Sequence, residues 1–284
     1  MTKNAIHAGT VQVGENTKAA AQPGSAKGKL YLAPTPLDFG CDIEPRPSVA
    51  DVLPQATLQH MAWLSHWVCE NAKTLRALLK RVDAVVPLAQ PLQALQIQEI
   101  PRAWHKKGDH LATVDQQQAH ALLAPALQGH DMALASEAGM PAVADPGASL
   151  VRAAHVLGIT VVPLVGPSSI LLAIAASGLN GQQFTFHGYL PQEADARAHF
   201  LKKMEQTAQA TAYSQWWIET PYRNQALLRH AVQVLQPDTW LCTASGLTLP
   251  QAHIVTQPVK NWRQKSNMQE WMGRLPTLFG LAKG

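Results

Sequence analysis

The sequence predicts an α/β fold in two domains, with a mostly parallel first sheet and a mixed second sheet. Three observations predict it. From residue 29 to residue 179, short apolar runs alternate with amphipathic stretches, the rhythm of strands separated by covering helices. After residue 184 that rhythm changes: TWLCTAS (239–245) and HIVTQPV (253–259) read as successive antiparallel strands joined by the Pro-bearing segment GLTLPQ. Between the two regimes, Asn180-Gly181 marks a turn. The expected organisation is a disordered tail over 1–28, a first domain over 29–181 and a second over 182–284.

The elements follow in order. KLYLAPTPL (29–37) is a strand that ends abruptly at Pro34, Thr35 and Pro36, since proline cannot donate to a strand ladder. Residues 51–64 are amphipathic and predict a helix. WVCENAKTLRALLKRV (67–82) predicts a brief strand and then a helix, whereas residues 83–113, rich in Pro and Gln, predict no element. Helix resumes over 114–128, and MALAS (132–136) is a strand by its run and its flanks. A helix near 148–157, the strand ITVVPLV (159–165) and an apolar helix within 166–179 stopping at Gly178 complete the first half. In the second half FTFHGYLP (184–191) and YSQWWIET (213–220) contain strands, with a helix near 194–206 between them. Pro221 suits the first position of a helix running to about 235. A short helix at 262–273 precedes the closing strand TLFGLA (277–282).

Composition narrows the functional classes. Apolar residues make up 46% of the 284, ample for a core, and a formal net charge of +4 permits an RNA-facing patch without demanding one. Cys41, Cys69 and Cys242 are far apart and form no CxxC pair, which points away from structural zinc or a disulfide framework and towards a reducing cytoplasm. Among the twelve histidines no HExxH occurs, so no metal site is expected. No apolar run is long enough to span a membrane, and the first 28 residues lack the apolar core of a signal peptide. GSAKGK (24–29) lacks the spacing of a P-loop, and no GxGxxG is present.

The chemistry is expected in loops. In an open parallel sheet, ligands bind beyond the carboxyl ends of the strands. The loops after KLYLA, MALAS and VVPLV occupy that position, and each exchanges side-chain bulk for Gly, Pro and Ser. The second, SEAGMPAVADPG (136–147), carries two Gly and two Pro, more breakers than a plain connection needs. Glycine lets a ligand approach the main chain, and the first amides of a helix are free donors. Asp145-Pro146 also has the form of an N-cap followed by a first helical proline.

The ordered series LYLAPTP, ENAK, ALASEAGMPAVADPG, VVPLVGPSS, FTFHGYLP, WWIETPYR and TASGLT resembles the tetrapyrrole-methylase superfamily of S-adenosylmethionine-dependent methyltransferases. Within it, the series is most similar to the bacterial 16S rRNA (cytidine-2′-O)-methyltransferase branch, with its PTPIGN, AEDTR, SDAGTPxxxDPG, PxPGPxA, GFLP and YESxHR segments. The resemblance runs from about residue 29 over nearly the whole chain. It implies two α/β domains, S-adenosylmethionine in a cleft between them, a homodimer, and a ribose 2′-OH of small-subunit rRNA as methyl acceptor. The cofactor residues it implies are Pro34, Thr35 and Pro36; Ser136, Glu137, Ala138, Gly139 and Pro141; Asp145; and Gly166, Pro167, Ser168 and Ser169.

The departures lie where substrate should enter. PTPIGN has become PTPLDFG, adding Asp38; AEDTR has become CENAK, keeping only the acid, Glu70; SDAGTP has become SEAGMP. Two further readings therefore stand beside the first: methylation of a small, tetrapyrrole-type molecule, and a paralogue that binds S-adenosylmethionine or RNA without catalysis. A ribose hydroxyl is a poor nucleophile, so a base is expected near it. Glu70 and Glu219 are the candidate catalytic residues, with Glu137 and Asp38 as further acids. Trp216 and Trp217 should point to opposite faces of a strand, one into the core and the other to the core or to a stacked base. Trp63 and Trp67, four apart, should share a helical face.

Overall fold

A computed structural model describes residues 26–41, 43, 46–101, 104, 116–264 and 275–284. The expected tail up to residue 25, most of the stretch 102–115, and the C-terminal part of the 262–273 helix lie outside the described residues. Lys27 and Gly28 are already part of the fold: the Gly28 amide donates to the Ala126 carbonyl at 2.8 Å, and Lys27 Nζ to the Leu157 carbonyl.

The first sheet is wholly parallel. Its strands β1 (Lys29–Ala33), β2 (His66–Cys69), β3 (Gln96–Glu99), β4 (Met132–Ala135) and β5 (Thr160–Pro163) are ordered β3-β2-β4-β1-β5. Side chains alternate between two cores. Tyr31, Ala33, Trp67, Cys69, Ala133 and Ala135 face α1 (Gln55–Trp63) and α2 (Ala72–Asp83). Leu30, Val68, Met132 and Leu134 face α3 (Gln116–Leu122), α4 (Ala124–Leu127) and α5 (Ala148–Val156). The sheet is thus covered on both sides, as continuous apolar strands require. Strand β3 is the element the Pro- and Gln-rich stretch concealed.

Helix α2 shows how local sequence sets an element. Leu75, Leu78, Leu79 and Val82 form one buried stripe, and the Asn71 side chain caps the first turn by accepting from the Lys73 and Thr74 amides. The Asn of CENAK is therefore a cap. Trp63 and Trp67 do not share a helical face: Trp63 ends α1 and is exposed, while Trp67 lies in β2 and is buried. The chain leaves the helix at Leu64, and that break overrides the spacing.

The second sheet is mixed, in the order β6-β7-β10-β8-β9, from β6 (Phe184–Tyr189), β7 (Ser214–Glu219), β8 (Trp240–Ser245), β9 (His253–Pro258) and β10 (Thr277–Ala282). β6 and β7 are parallel; β10 is antiparallel to both its neighbours, and β8 pairs β9 antiparallel. One face packs on α7 (Ala194–Thr211), α8 (Asn224–Val234) and α9 (Val259–Gln264). The other receives α6 (Ser169–Ser177), whose Ile170, Ala173 and Ile174 join Leu37 from the first half. A 3-10 turn, Pro221–Arg223, precedes α8, so Pro221 opens that turn and not the α-helix itself. Trp216 and Trp217 do face opposite ways, and both are wholly buried, Trp217 stacked on Phe279 at 5.7 Å. Neither offers a surface to a base. No helix among the described residues is long and apolar enough to cross a membrane.

Gly280 sits at the centre of β10, where a Cβ would lie 2.7 Å from the Trp216 ring. Gly280→Ala is expected to destabilise the fold by about 1–3 kcal/mol through overpacking, measured as a lowered urea midpoint with an unchanged slope.

Candidate active site

The site begins at the boundary of β1 and β4. These strands are neighbours, yet the chain leaving β1 runs to α1 on one face and the chain leaving β4 runs to α5 on the other. Such a switch point opens a crevice beyond the strand ends. There the two loops clasp each other: the Thr35 amide donates to the Gly139 carbonyl at 2.9 Å, and the Gly139 amide to the Thr35 carbonyl at 3.0 Å. Gly139 has φ +77°, a conformation glycine adopts without penalty, and a Cβ there would meet Leu37 at 3.2 Å. The third loop closes in at Gly166, where a Cβ would fall 2.3 Å from the Pro34 ring.

Two cavities adjoin this junction. The larger, about 400 Å³, lies between the halves. Ala138, Gly139, Asp145, Ser168 and Ser169 line it from the first half; Tyr189, Glu219, Leu247 and Leu278 line it from the second. The smaller, about 320 Å³, lies within the first half and is lined by Thr35, Pro36, Glu70, Ser136 and Glu137, with Asn71, Thr74 and Arg81. Phe39 and Gly40 border both. Pro34, Pro141, Gly166 and Pro167 border neither; Pro34 and Gly166 pack against each other behind the loops. The candidate catalytic acids Glu70 and Glu219 therefore belong to different cavities.

Each acid has a distinct setting. Glu70 Oε1 accepts from the Glu137 amide at 3.2 Å and ties the CENAK loop to SEAGMP. Thr74 Oγ1 donates to Glu137 Oε1 at 3.4 Å. Glu219, buried at the end of β7, forms an ion pair with Arg223 at 2.7 Å and accepts from the Thr220 amide as well. Asp38 is buried and holds Arg81 through two hydrogen bonds, at 3.2 and 2.7 Å.

Asp145 departs from its expected role. It does not cap the following helix: α5 starts at Ala148 and its N-cap is Gly147, at φ +134°. A Cβ on Gly147 would lie 2.7 Å from Leu134, so glycine alone lets the loop enter the helix there. The Asp145 carboxyl instead faces the larger cavity and hydrogen-bonds Ser136. Burial, reinforced by Glu70 and Glu137, pushes its pKa up to about 7 despite the Ser136 bond. Tyr189, opposite, has its hydroxyl pKa raised by burial, then by Asp145 and Glu219. Sequence reasoning missed Tyr189 and Phe39. Both stand inside quoted motifs, GYLP and PTPLDFG, where an aromatic beside a glycine was the available signal.

A carboxyl whose folded pKa exceeds its unfolded value favours the fold fully below about pH 3.8 and loses that contribution as pH rises through about 7. Asp145→Asn should therefore match the parent protein at low pH and become progressively more stable than it between pH 4 and 8. Thermal melts of the two proteins across that range test this; a constant difference would contradict the raised pKa.

Residues 71–261 match the family described as Tetrapyrrole (Corrin/Porphyrin) Methylases. The chain is 29% identical over 239 residues to Ribosomal RNA small subunit methyltransferase I of Escherichia coli O157:H7, covering 83% of this chain and 71% of that protein. To the protein of the same name from Pasteurella multocida (strain Pm70) it is 32% identical over 162 residues, covering 57% of this chain and 54% of that protein. The chain thus matches about half the length of several of its curated relatives. Among solved structures, that of the methyltransferase CobJ aligns over 90% of this chain and 95% of its own, with a TM-score of 0.51 at 16% identity, a likeness of fold. The paired α/β halves and a family match that runs from the start of α2 into α9 lead to one conclusion: the chain belongs to the tetrapyrrole (corrin/porphyrin) methylase family.

Proposed function

We propose that this protein is an S-adenosylmethionine-dependent methyltransferase that acts on a ribose 2′-OH of small-subunit rRNA. The observation that carries the reading is the larger cavity, placed where three loops converge at the switch point and walled on its far side by the second sheet. Its make-up fits the cofactor. Leu37, Ile170, Leu247 and Leu278 give an apolar enclosure for a nucleoside, and the Gly139 cradle admits it close to the main chain. Helix α6 has no side chain capping its first turn, so its amides at Ser168 and Ser169 remain donors for a carboxylate. Asp145, an acid on the wall of this cavity, would suit the positive charge of a sulfonium. Bound there, S-adenosylmethionine would supply an electrophilic methyl group.

The rest is done by the chain. The clasped loops would hold a bound donor in one place beside the acceptor, and such positioning supplies much of the rate gain of a displacement. The Glu219–Arg223 pair and Thr220 fix the rim. The names of the relatives support rRNA as acceptor.

Calorimetry with S-adenosylmethionine should give micromolar binding that tightens as pH rises through about 7 in the parent protein and loses that dependence in Asp145→Asn. Gly139→Val, which both fills the cradle and strains a positive-φ position, should abolish binding and lower the melting temperature while the helix and strand content by circular dichroism stays native. Transfer of labelled methyl to isolated small subunits, weakening steeply with salt, would identify an RNA acceptor. Cofactor binding without transfer to RNA would redirect the reading to a small-molecule acceptor or a silent binder, and no cofactor binding would end it.

A further inference from the structure

The turn Leu37–Gly40 holds an aromatic ring out of the core in an unusual setting. Leu37 and Asp38 are buried, yet Phe39 between them and Gly40 is 42% exposed. Isolated exposed apolar residues are common, but this ring stands at the border of both cavities. Its position is held firmly. Arg81 grips Asp38 with two hydrogen bonds and also donates to the Pro47 carbonyl at 3.1 Å, and the Cys41 amide returns to the Asp38 carbonyl at 3.3 Å. A bidentate guanidinium–carboxylate pair fixes both distance and plane. Gly40, at φ +70°, completes the turn.

Deeper in the smaller cavity lies an independent sign of a ligand. Thr35 is 3% exposed, and its hydroxyl has no hydrogen-bond partner among the described residues. A buried hydroxyl left unpaired is costly and calls for a partner. Its amide and carbonyl are both engaged by Gly139, so the side chain is the free group. Asn71 and Thr74 border the same space. A flat ring surface at the mouth and hydrogen-bonding groups within suit a planar heterocycle with polar edges.

We propose that the smaller cavity receives an unstacked nucleobase of the acceptor strand, stacked on Phe39 and met at its edge by the Thr35 hydroxyl. Because Phe39 borders both cavities, a base stacked on it lies beside the larger one, where the methyl donor is assigned. This rests on the reading above and names the part of the chain that selects the acceptor. Asp38 and Arg81 act as positioning residues. Base–aromatic stacking is sequence-tolerant, so the hydroxyl contributes the choice of edge.

The test measures two affinities separately: single-stranded RNA oligonucleotides by fluorescence anisotropy, and S-adenosylmethionine by calorimetry without RNA. Phe39→Leu should weaken oligonucleotide binding roughly tenfold, with Phe39→Trp restoring it, and weaken the cofactor far less, since the ring only borders the larger cavity. Thr35→Val, which keeps the backbone clasp, should weaken oligonucleotides of some bases more than others. Equal oligonucleotide affinity in Phe39→Leu and the parent protein overturns the proposal, and so does a matching loss of cofactor affinity, which would make the ring a cofactor contact. Absence of methyl transfer in the parent protein bears on the proposed reaction alone, because the oligonucleotide measurement needs no turnover.

Discussion

Everything at the cleft depends on the two hydrogen bonds between Thr35 and Gly139. Buried backbone groups must find partners, and loops leaving adjacent parallel strands for opposite faces of a sheet lose the ones the ladder supplied. Here one residue from each loop forms an antiparallel bridge just past the end of a parallel pair. The chain reverses within Ser136–Gly139 to do so, and the positive φ of Gly139 makes the reversal possible. With the clasp in place, Pro34 is pressed against Gly166 and the third loop is fixed to the first. Leu37 is also carried across to the core beneath the second sheet.

That last contact explains why the two halves form a cleft with a defined floor. Helix α6 follows a strand of the first sheet, but its buried face packs on the second. Leu37 and α6 thus place side chains from the first half into a core shared with Trp216, Cys242 and Leu278. The same packing brings Ser168 and Ser169 to the edge of the larger cavity, opposite Glu219 and Tyr189. A hinge relying on a polar linker would have left these residues at variable distances. The apolar core holds them at one.

The fold was largely legible because its strands are continuous apolar runs and its helices have buried stripes, signals confined to short windows. Strand β3 escaped because QIQE is mostly exposed and carries no apolar run; its pairing with β2 defines it. TLFGLA was readable as a strand, but its place between β7 and β8 arises from partners far away in sequence. The site was legible as loops and less so as roles. Asp145-Pro146 has the local form of a helix start, yet the helix begins only at Ala148, behind Gly147, and the acid lines the cleft. The Asp38–Arg81 pair joins residues 43 apart, which no local pattern encodes.

The loop from Ser136 to Gly147 carries two unfavourable features at once. Ala142 and Ala144 both adopt positive φ, near +65° and +62°, which costs roughly 1–2 kcal/mol per residue relative to ordinary backbone. Asp145 is held beside Glu70 and Glu137, so its ionisation is opposed by both burial and like charge. A connection selected only for stability would shed both, since glycine at the two alanine positions and a neutral residue at the third satisfy the same path. Strain and charge repulsion brought together at a switch point, beside a cavity, are features that the proposed cofactor site would account for. A cationic ligand is the species that would convert the second of these costs into attraction, because it favours the ionised carboxylate that burial and the neighbouring acids oppose.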